Sequence, residues 1–208
     1  MNKMIKKAEK NRVCRMKLKI RTASPEDTKE LLDIYSYYVN HTAITFEVST
    51  PDPNDFQSRI SRTLKRYPYI VAEDRGKILG YAYAGSFKDR AAYDWCVETT
   101  VYVARNARRM GIGSLLMDRL EDLLRQQKIL NANACIAVPR AQEDEYLSFD
   151  SLRFHERQGY RLAATFHDCG YKFNRWYSMV WMEKMLGDHV KEPHPVIPFP
   201  ELKLSDIL

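Results

Sequence analysis

The chain has 208 residues, 45% hydrophobic and 29% charged, with a formal net charge of +6. This is enough for one domain with a full-sized core, and the balance is that of a soluble globular protein. The positive charge is local: in residues 1–21 nine Lys and Arg stand against Glu9 alone, giving +8 there and leaving −2 of the +6 for the remainder, so nucleic acid is not an expected partner of the domain.

Residues 1–16 read as a basic, disordered leader without the apolar stretch of a signal peptide, and Met16 offers an alternative start. No segment is long enough to cross a bilayer, so a cytoplasmic protein with no membrane partner is expected. Cys14, Cys96, Cys135 and Cys169 are widely spaced and lack metal-ligand or C-x-x-C spacing, which points to reduced thiols and no metal site.

The domain spans residues 17–186, and its first strand is expected at 17–21. Ser24-Pro25-Glu26-Asp27 is a helix start with proline at the first helical position, followed by Leu31, Leu32, Tyr35 and Tyr38 at helical spacing. Asp52-Pro53-Asn54-Asp55 repeats the signal before Phe56, Ile60 and Leu64. Strand-like runs follow at 69–73, 78–84 and 93–103, the first two joined by an Asp74-Arg75-Gly76 turn that suggests antiparallel pairing. The third run alternates Val97, Thr99, Val101 and Val103 with Cys96, Glu98, Thr100 and Tyr102. Leu115, Leu116, Leu120, Leu123 and Leu124 make a helical stripe. Next come a short strand at 132–138, an acidic loop through Glu143-Asp144-Glu145, a helix near 151–158 closed by Gly159, and two strands at 161–166 and 176–184. Residues 187–208 form a proline-rich tail, extended and either packed on the surface or loose. The pattern is one α/β (α+β) domain with about four helices on a mixed, largely antiparallel sheet.

Arg108-Arg109-Met110-Gly111-Ile112-Gly113-Ser114 joins the third run to the leucine-striped helix. A glycine turn at a helix N-terminus presents unpaired amides and the positive end of the helix dipole, which suits a phosphate. An isolated G-x-G equally describes a plain turn into a core helix, and neither a dinucleotide fingerprint nor a G-K-[ST] loop is present.

Together with A-Y-D-W-C-V-E-T-T-V-Y-V, F-H-E-R-Q-G-Y and G-Y-K-F-N-R-W, this R-x-x-G-x-G segment resembles the GCN5-related N-acetyltransferases (GNAT), in particular the phosphinothricin/methionine-sulfone acetyltransferase group, over residues 20–200. The resemblance implies a GNAT fold with splayed central strands. It implies acetyl-CoA as donor, the primary amine of a small amino-acid-like acceptor, and a homodimer. It places Val101, Tyr102 and Val103 along the pantetheine arm, and Arg108, Arg109, Met110, Gly111, Ile112, Gly113 and Ser114 at the pyrophosphate. Ser151 joins the donor site. Glu98 falls on the general base, His155 on the histidine near the thioester sulfur, and Phe46, Arg90 and Tyr93 on the acceptor pocket. Ser148 departs from the pattern, standing where the family usually has an asparagine, and the 139–150 loop is longer than in the phosphinothricin enzymes.

The chemistry asks for these residue types. An ammonium must lose a proton before it attacks a thioester, and a positioned carboxylate contributes ~10²–10⁴-fold. Charge developing on the attacked carbonyl needs a donor, most simply a backbone amide near Val101. His155 is the candidate for assisting the thiolate, with Tyr160 behind it. Two other functions fit the same motifs: acetylation of a protein or peptide amine, and a non-catalytic CoA-binding interaction protein.

Overall fold

The computed structural model describes residues 17–203, so the leader expected over 1–16 lies outside the described residues. Seven strands form one sheet: β1 (Leu18–Thr22), β2 (Tyr69–Asp74), β3 (Lys77–Ser86), β4 (Cys96–Val103), β5 (Asn131–Val138), β6 (Arg161–Lys172) and β7 (Arg175–Met185), in the order β1-β2-β3-β4-β5-β7-β6. Every neighbouring pair is antiparallel except β4–β5. The described residues hold four α-helices: α1 (Thr28–His41), α2 (Pro53–Leu64), α3 (Ile112–Gln126) and α4 (Asp150–Arg157).

Helix α1 begins as the sequence expects, with Ser24 N donating to the Asp27 carboxylate (2.8 Å) and a short 3-10 turn ahead of Thr28. The leucine stripe of α3 supplies Leu116, Leu120, Leu123 and Leu124, all fully buried on one face of the sheet with Ile70, Ala82, Val97 and Ala132. Helices α1 and α2 cover part of the other face through Leu31, Tyr35, Tyr38, Phe56 and Ile60 against Tyr69, Val71 and Tyr81. Leu120→Ala removes a side chain from the middle of the first cluster and is expected to cost about 2–5 kcal/mol. The measurement is the urea midpoint at unchanged m-value.

Three boundaries differ from the sequence expectation. The run expected as a strand from residue 93 starts at Cys96, because Arg90–Asp94 closes into a 3-10 turn through Tyr93 N→Arg90 O (2.9 Å) and Asp94 N→Ala91 O (3.0 Å). Tyr93 therefore sits on the turn before the strand. Strands β6 and β7 are longer than expected and form a hairpin whose Phe173 and Asn174 both have positive φ (51° and 58°). The hairpin carries a bulge between Phe166 and Gly170, with Asp168 at φ 46°. This two-residue turn lacks the usual Asn-Gly signature, which is why the sequence hides it.

The described part of the tail, 187–203, packs as a strap along the ends of α2 and α3; residues 204–208 lie outside the described residues. Trp95 Nε1 donates to His194 O (2.7 Å), and Gln127 Nε2 donates to both Ile197 O and Arg66 O (2.8 Å each). Ile197 N returns a bond to Gln127 O (2.9 Å), and Phe199 is buried.

Candidate active site

The parallel pairing of β4 with β5 runs from Cys96/Asn131 to Glu98/Asn133 and stops, although both strands continue. At the stop, side chains replace ladder bonds: Asn133 Nδ2 donates to Val97 O (3.1 Å), and Thr99 Oγ1 donates to Asn133 O (3.0 Å). Both side chains are buried, and the Tyr160 hydroxyl joins Thr99 Oγ1 at 3.2 Å. A buried polar wedge thus forks the sheet. The direction of the freed groups follows from alternation. Ala104 N donates to Leu79 O and Phe87 N to Cys96 O, so even-numbered residues of β4 serve β3. Trp95 O accepts from Leu130 N and Asn131 N on the other side, so odd-numbered residues face the fork. Beyond Glu98 those are Thr99, Val101 and Val103.

Tyr102 accordingly does not line the fork. Its backbone belongs to the β3 ladder opposite Tyr81, and its ring packs among Tyr35 (5.1 Å), Tyr38 (4.8 Å) and Tyr81 (5.5 Å). It supports the strand between Val101 and Val103 from the helix face.

Below the end of β4, Gly111 caps α3 in the left-handed region (φ 79°), and an added Cβ there meets nothing within 4 Å. This glycine is required by backbone conformation. Gly113 has a different reason: a Cβ would come within 3.3 Å of the Phe154 ring of α4 and 3.7 Å of Val103 Cγ2. The second glycine lets α4 lie close over the start of α3. Ile112 points into the core, so it offers its amide alone; the amides of Gly113 and Ser114 likewise precede the first helical donor, Leu115 N, which bonds Gly111 O (3.0 Å). Arg109, exposed at φ 61°, reaches Asp150 Oδ2 at 3.6 Å, and Met110 packs against the main core. Arg108 folds back over Tyr37 and Tyr38.

Glu98 lies on the sheet face opposite α3, half-buried. Burial raises its pKa above the ordinary carboxylate value, against the opposing charge of Lys88. Lys88 rests over the Phe87 ring (5.2 Å) and was not singled out by its sequence context. Glu98 also bears on Cys135 of β5: the residue is exposed, but its sulfur is desolvated by its neighbours, which pushes the thiol up to about 11, with the Glu98 charge adding to it. Tyr93 stands edge-on to Phe87 (5.9 Å) and Phe87 to Trp181 (5.2 Å), while Arg90 is exposed at the start of the same turn.

Phe46 comes from the other side. The loop after α1 crosses to the β6–β7 hairpin, and the Phe46 ring sits where a Gly170 side chain would be, with Cε2 2.3 Å from an ideal Cβ. Lys172 Nζ donates to Thr45 O (2.7 Å), Tyr35 Oη meets Thr45 Oγ1 (2.9 Å), and Arg59 pairs with Glu47 (2.6 Å). Burial lowers Lys172 to about 8, with Glu47 opposing. Lys172 is a second residue that sequence reasoning missed: a buried lysine on a strand leaves no pattern.

His155 is buried on α4 between Phe154 and Tyr160. Its Nδ1 lies 2.8 Å from Ser151 O, and since a carbonyl only accepts, Nδ1 carries the proton and Nε2 presents a lone pair. Burial lowers its pKa, which favours the neutral imidazole. The Ser151 backbone therefore sets the histidine tautomer, and Ser148 Oγ accepts from Asp150 N (3.2 Å) at the helix start. The acidic loop ahead of it is self-contained. Glu143 pairs with Arg153 (3.0 Å), Glu145 makes two 2.9 Å bonds to Arg175, and Asp144 accepts from Tyr146 N, Leu147 N and Tyr177 Oη. Its carboxylates, two of them exposed, pair with α4 and with the hairpin.

Residues 20–181 match the family model of the acetyltransferase (GNAT) domain. The chain belongs to the GNAT acetyltransferase family. Its relatives there include the phosphinothricin N-acetyltransferase of Streptomyces viridochromogenes, 32% identical over 188 residues that cover 90% of this chain and 98% of the relative. The L-methionine sulfoximine/L-methionine sulfone acetyltransferase of Salmonella typhimurium is 30% identical over 82% of this chain and 95% of its own length. Among solved structures, a phosphinothricin acetyltransferase from Sinorhizobium meliloti in complex with acetyl-CoA superposes with a TM-score of 0.77 at 28% identity, covering 88% of this chain and 99% of that one. The GNAT fold and the acetyltransferase assignment expected from the sequence both hold. Among the described residues no group of His, Cys, Asp or Glu is arranged to hold a metal, and no helix is long and apolar enough to cross a membrane.

Proposed function

We propose that this GNAT protein transfers an acetyl group from acetyl-CoA to the primary amine of a small amino-acid-like acceptor, such as phosphinothricin, methionine sulfone or methionine sulfoximine, by direct attack with Glu98 as general base. The observation that carries this is the half-buried Glu98 one residue from the fork where Val101 turns its backbone groups away from β3. The turn fits the donor: Gly111 is open above an uncapped helix end, with Arg108 and Arg109 beside it.

In this reading the Val101 edge and the amides of Gly111 to Ser114 hold the two ends of the donor, with Val103 and Ser151 along the way. Acetyl-CoA supplies an activated acyl carbon. Glu98 takes a proton from the acceptor ammonium, directly or through one water; the freed amine forms the new C–N bond as the C–S bond breaks, the acylated nitrogen releases its second proton to give the amide, and CoA leaves as the thiolate. The Val101 amide faces the carbonyl that gains charge. His155 offers its Nε2 lone pair on the thiolate side, where it receives that second proton and passes it to the sulfur.

Phe46, Tyr93 and Arg90 form the acceptor side, with Arg90 matched to a carboxylate or phosphinate. Thiol release from acetyl-CoA over a panel of amino acids, sulfones, sulfoximines and peptides tests the assignment. Arg90→Ala is expected to raise KM for the carboxylate acceptors by roughly tenfold or more. Unchanged kinetics would move the reading to a peptide amine, and binding of CoA without thiol release on any amine would leave a non-catalytic CoA protein.

We further propose that the protein is a cytoplasmic homodimer, the dimer being supported by exposed side chains around the acceptor side. Arg90 and Tyr93 are exposed, and Leu162, Phe166, Tyr171 and Trp176 stand 48–60% exposed on the β6–β7 hairpin. Sedimentation equilibrium is expected to give twice the chain mass.

A further inference from the structure

The last residue of β4, Val103, has its backbone groups directed at the fork, and both are already in use. Tyr38 Oη donates to Val103 O at 2.5 Å and accepts from Val103 N at 3.3 Å. The same oxygen accepts from Arg108 Nε at 3.3 Å. A hydroxyl has one proton and two lone pairs, so all three capacities are engaged. The Arg108 guanidinium carbon lies 4.8 Å from the Tyr38 ring centre and 5.3 Å from that of Tyr37. One phenol from α1 thus occupies the place an amide of a neighbouring strand would take, and keeps an arginine of the phosphate turn folded against the helix.

We propose that Tyr38 is a donor-site residue: its hydroxyl stands in for the strand partner of Val103 and stows Arg108, and acetyl-CoA binds by displacing both contacts. This rests on the donor site described above. The exchange is chemically matched. A pantetheine amide offers Val103 one donor and one acceptor, as the phenol does. A pyrophosphate gives Arg108 a charge-assisted bidentate partner, stronger than a neutral phenol oxygen. Each displaced bond subtracts from donor affinity, so the hydroxyl sets how tightly acetyl-CoA and the CoA product are held. Tyr38→Phe deletes only that competitor. The ring keeps its packing against Tyr102, and the released Val103 groups are left facing the groove.

The test is calorimetric titration with CoA, joined to amide exchange at Val103. CoA is expected to bind Tyr38→Phe about three- to tenfold more tightly than wild type. Val103 N–H is expected to exchange faster in the free variant than in the free wild type, and to be slowed in both once CoA is bound. In the wild type itself, the Arg108 Nε–H resonance lies under the two tyrosine rings and is expected to shift when CoA is added. Equal or weaker CoA binding by the variant overturns the proposal, as does an Arg108 signal that stays in place while CoA binds. CoA that fails to bind the wild type at all overturns the donor site itself, a result distinct from either.

Discussion

Glu98→Gln is expected to lower kcat by roughly 10²–10⁴-fold while CoA binding stays within about twofold of wild type. The two halves of that result have separate causes. Deleting the base leaves the acceptor as its ammonium, which has no lone pair to attack with. In the proposed site the donor is held elsewhere, by the odd-numbered backbone of β4 and the amides of the α3 turn. Burial raises the pKa of Glu98 and Lys88 draws it back, so the acid limb of kcat/KM is expected above the ordinary carboxylate range. Lys88→Met removes the opposing charge and is expected to move that limb to higher pH. The sign for stability is opposite to that of an ion-paired carboxylate. A folded-state pKa above the unfolded value means that protonation favours the fold, so the contribution is present below the unfolded pKa and is lost as pH rises through the folded one. Wherever Glu98 is ionised its burial is a cost to the fold, and Glu98→Gln is expected to melt no lower than wild type. Full turnover in a folded Glu98→Gln protein would remove Glu98 as the base.

How much of this was readable beforehand follows from which interactions are local. The leucine stripe of α3, the Asp52-Pro53 start of α2 and the β2–β3 turn at Gly76 all declare themselves within a few residues, and the structure forms them nearly where expected. Glu98 was legible as the one carboxylate in an apolar alternation. The fork was less so, since its cause lies in Thr99 and Asn133, 34 residues apart, each an ordinary strand residue until the two are paired. The two glycines of the α3 turn have the same sequence signature, yet Gly111 answers to its own backbone and Gly113 to the Phe154 ring from a later helix. Tyr102 shows the limit of reading a motif as a block: alternation turns its backbone to β3 while its neighbours face the fork. Lys88, Tyr38 and Lys172 gain their meaning from partners on other elements, so no periodicity marks them.

Gly170→Ala is expected to raise the acceptor KM by as much as ~10²-fold, the scale of a misplacement of about 1 Å at a positioning residue, with the acetyl-CoA KM unchanged. The new Cβ would lie 2.3, 2.5 and 2.7 Å from three atoms of the Phe46 ring, closer than carbon atoms approach. Something must move, and the loop that bears Phe46 is poorly placed to yield. Lys172 holds Thr45 O, Tyr35 holds the Thr45 hydroxyl, Arg59 holds Glu47, and Ala43 N donates to Tyr146 O at 3.0 Å. The colliding atoms are the tip of a side chain, so the ring swings out of its socket while the backbone stays. The penalty then falls mainly on acceptor fit, with overpacking adding at most about 1–3 kcal/mol to the loss of stability. A double-mutant cycle separates the two effects. In a Phe46→Ala background the ring is gone, and Gly170→Ala is expected to add little to either KM or melting temperature. Additive losses in KM would show that Gly170 acts on the acceptor by a route other than Phe46, and an unchanged KM in Gly170→Ala would take Phe46 out of the acceptor wall.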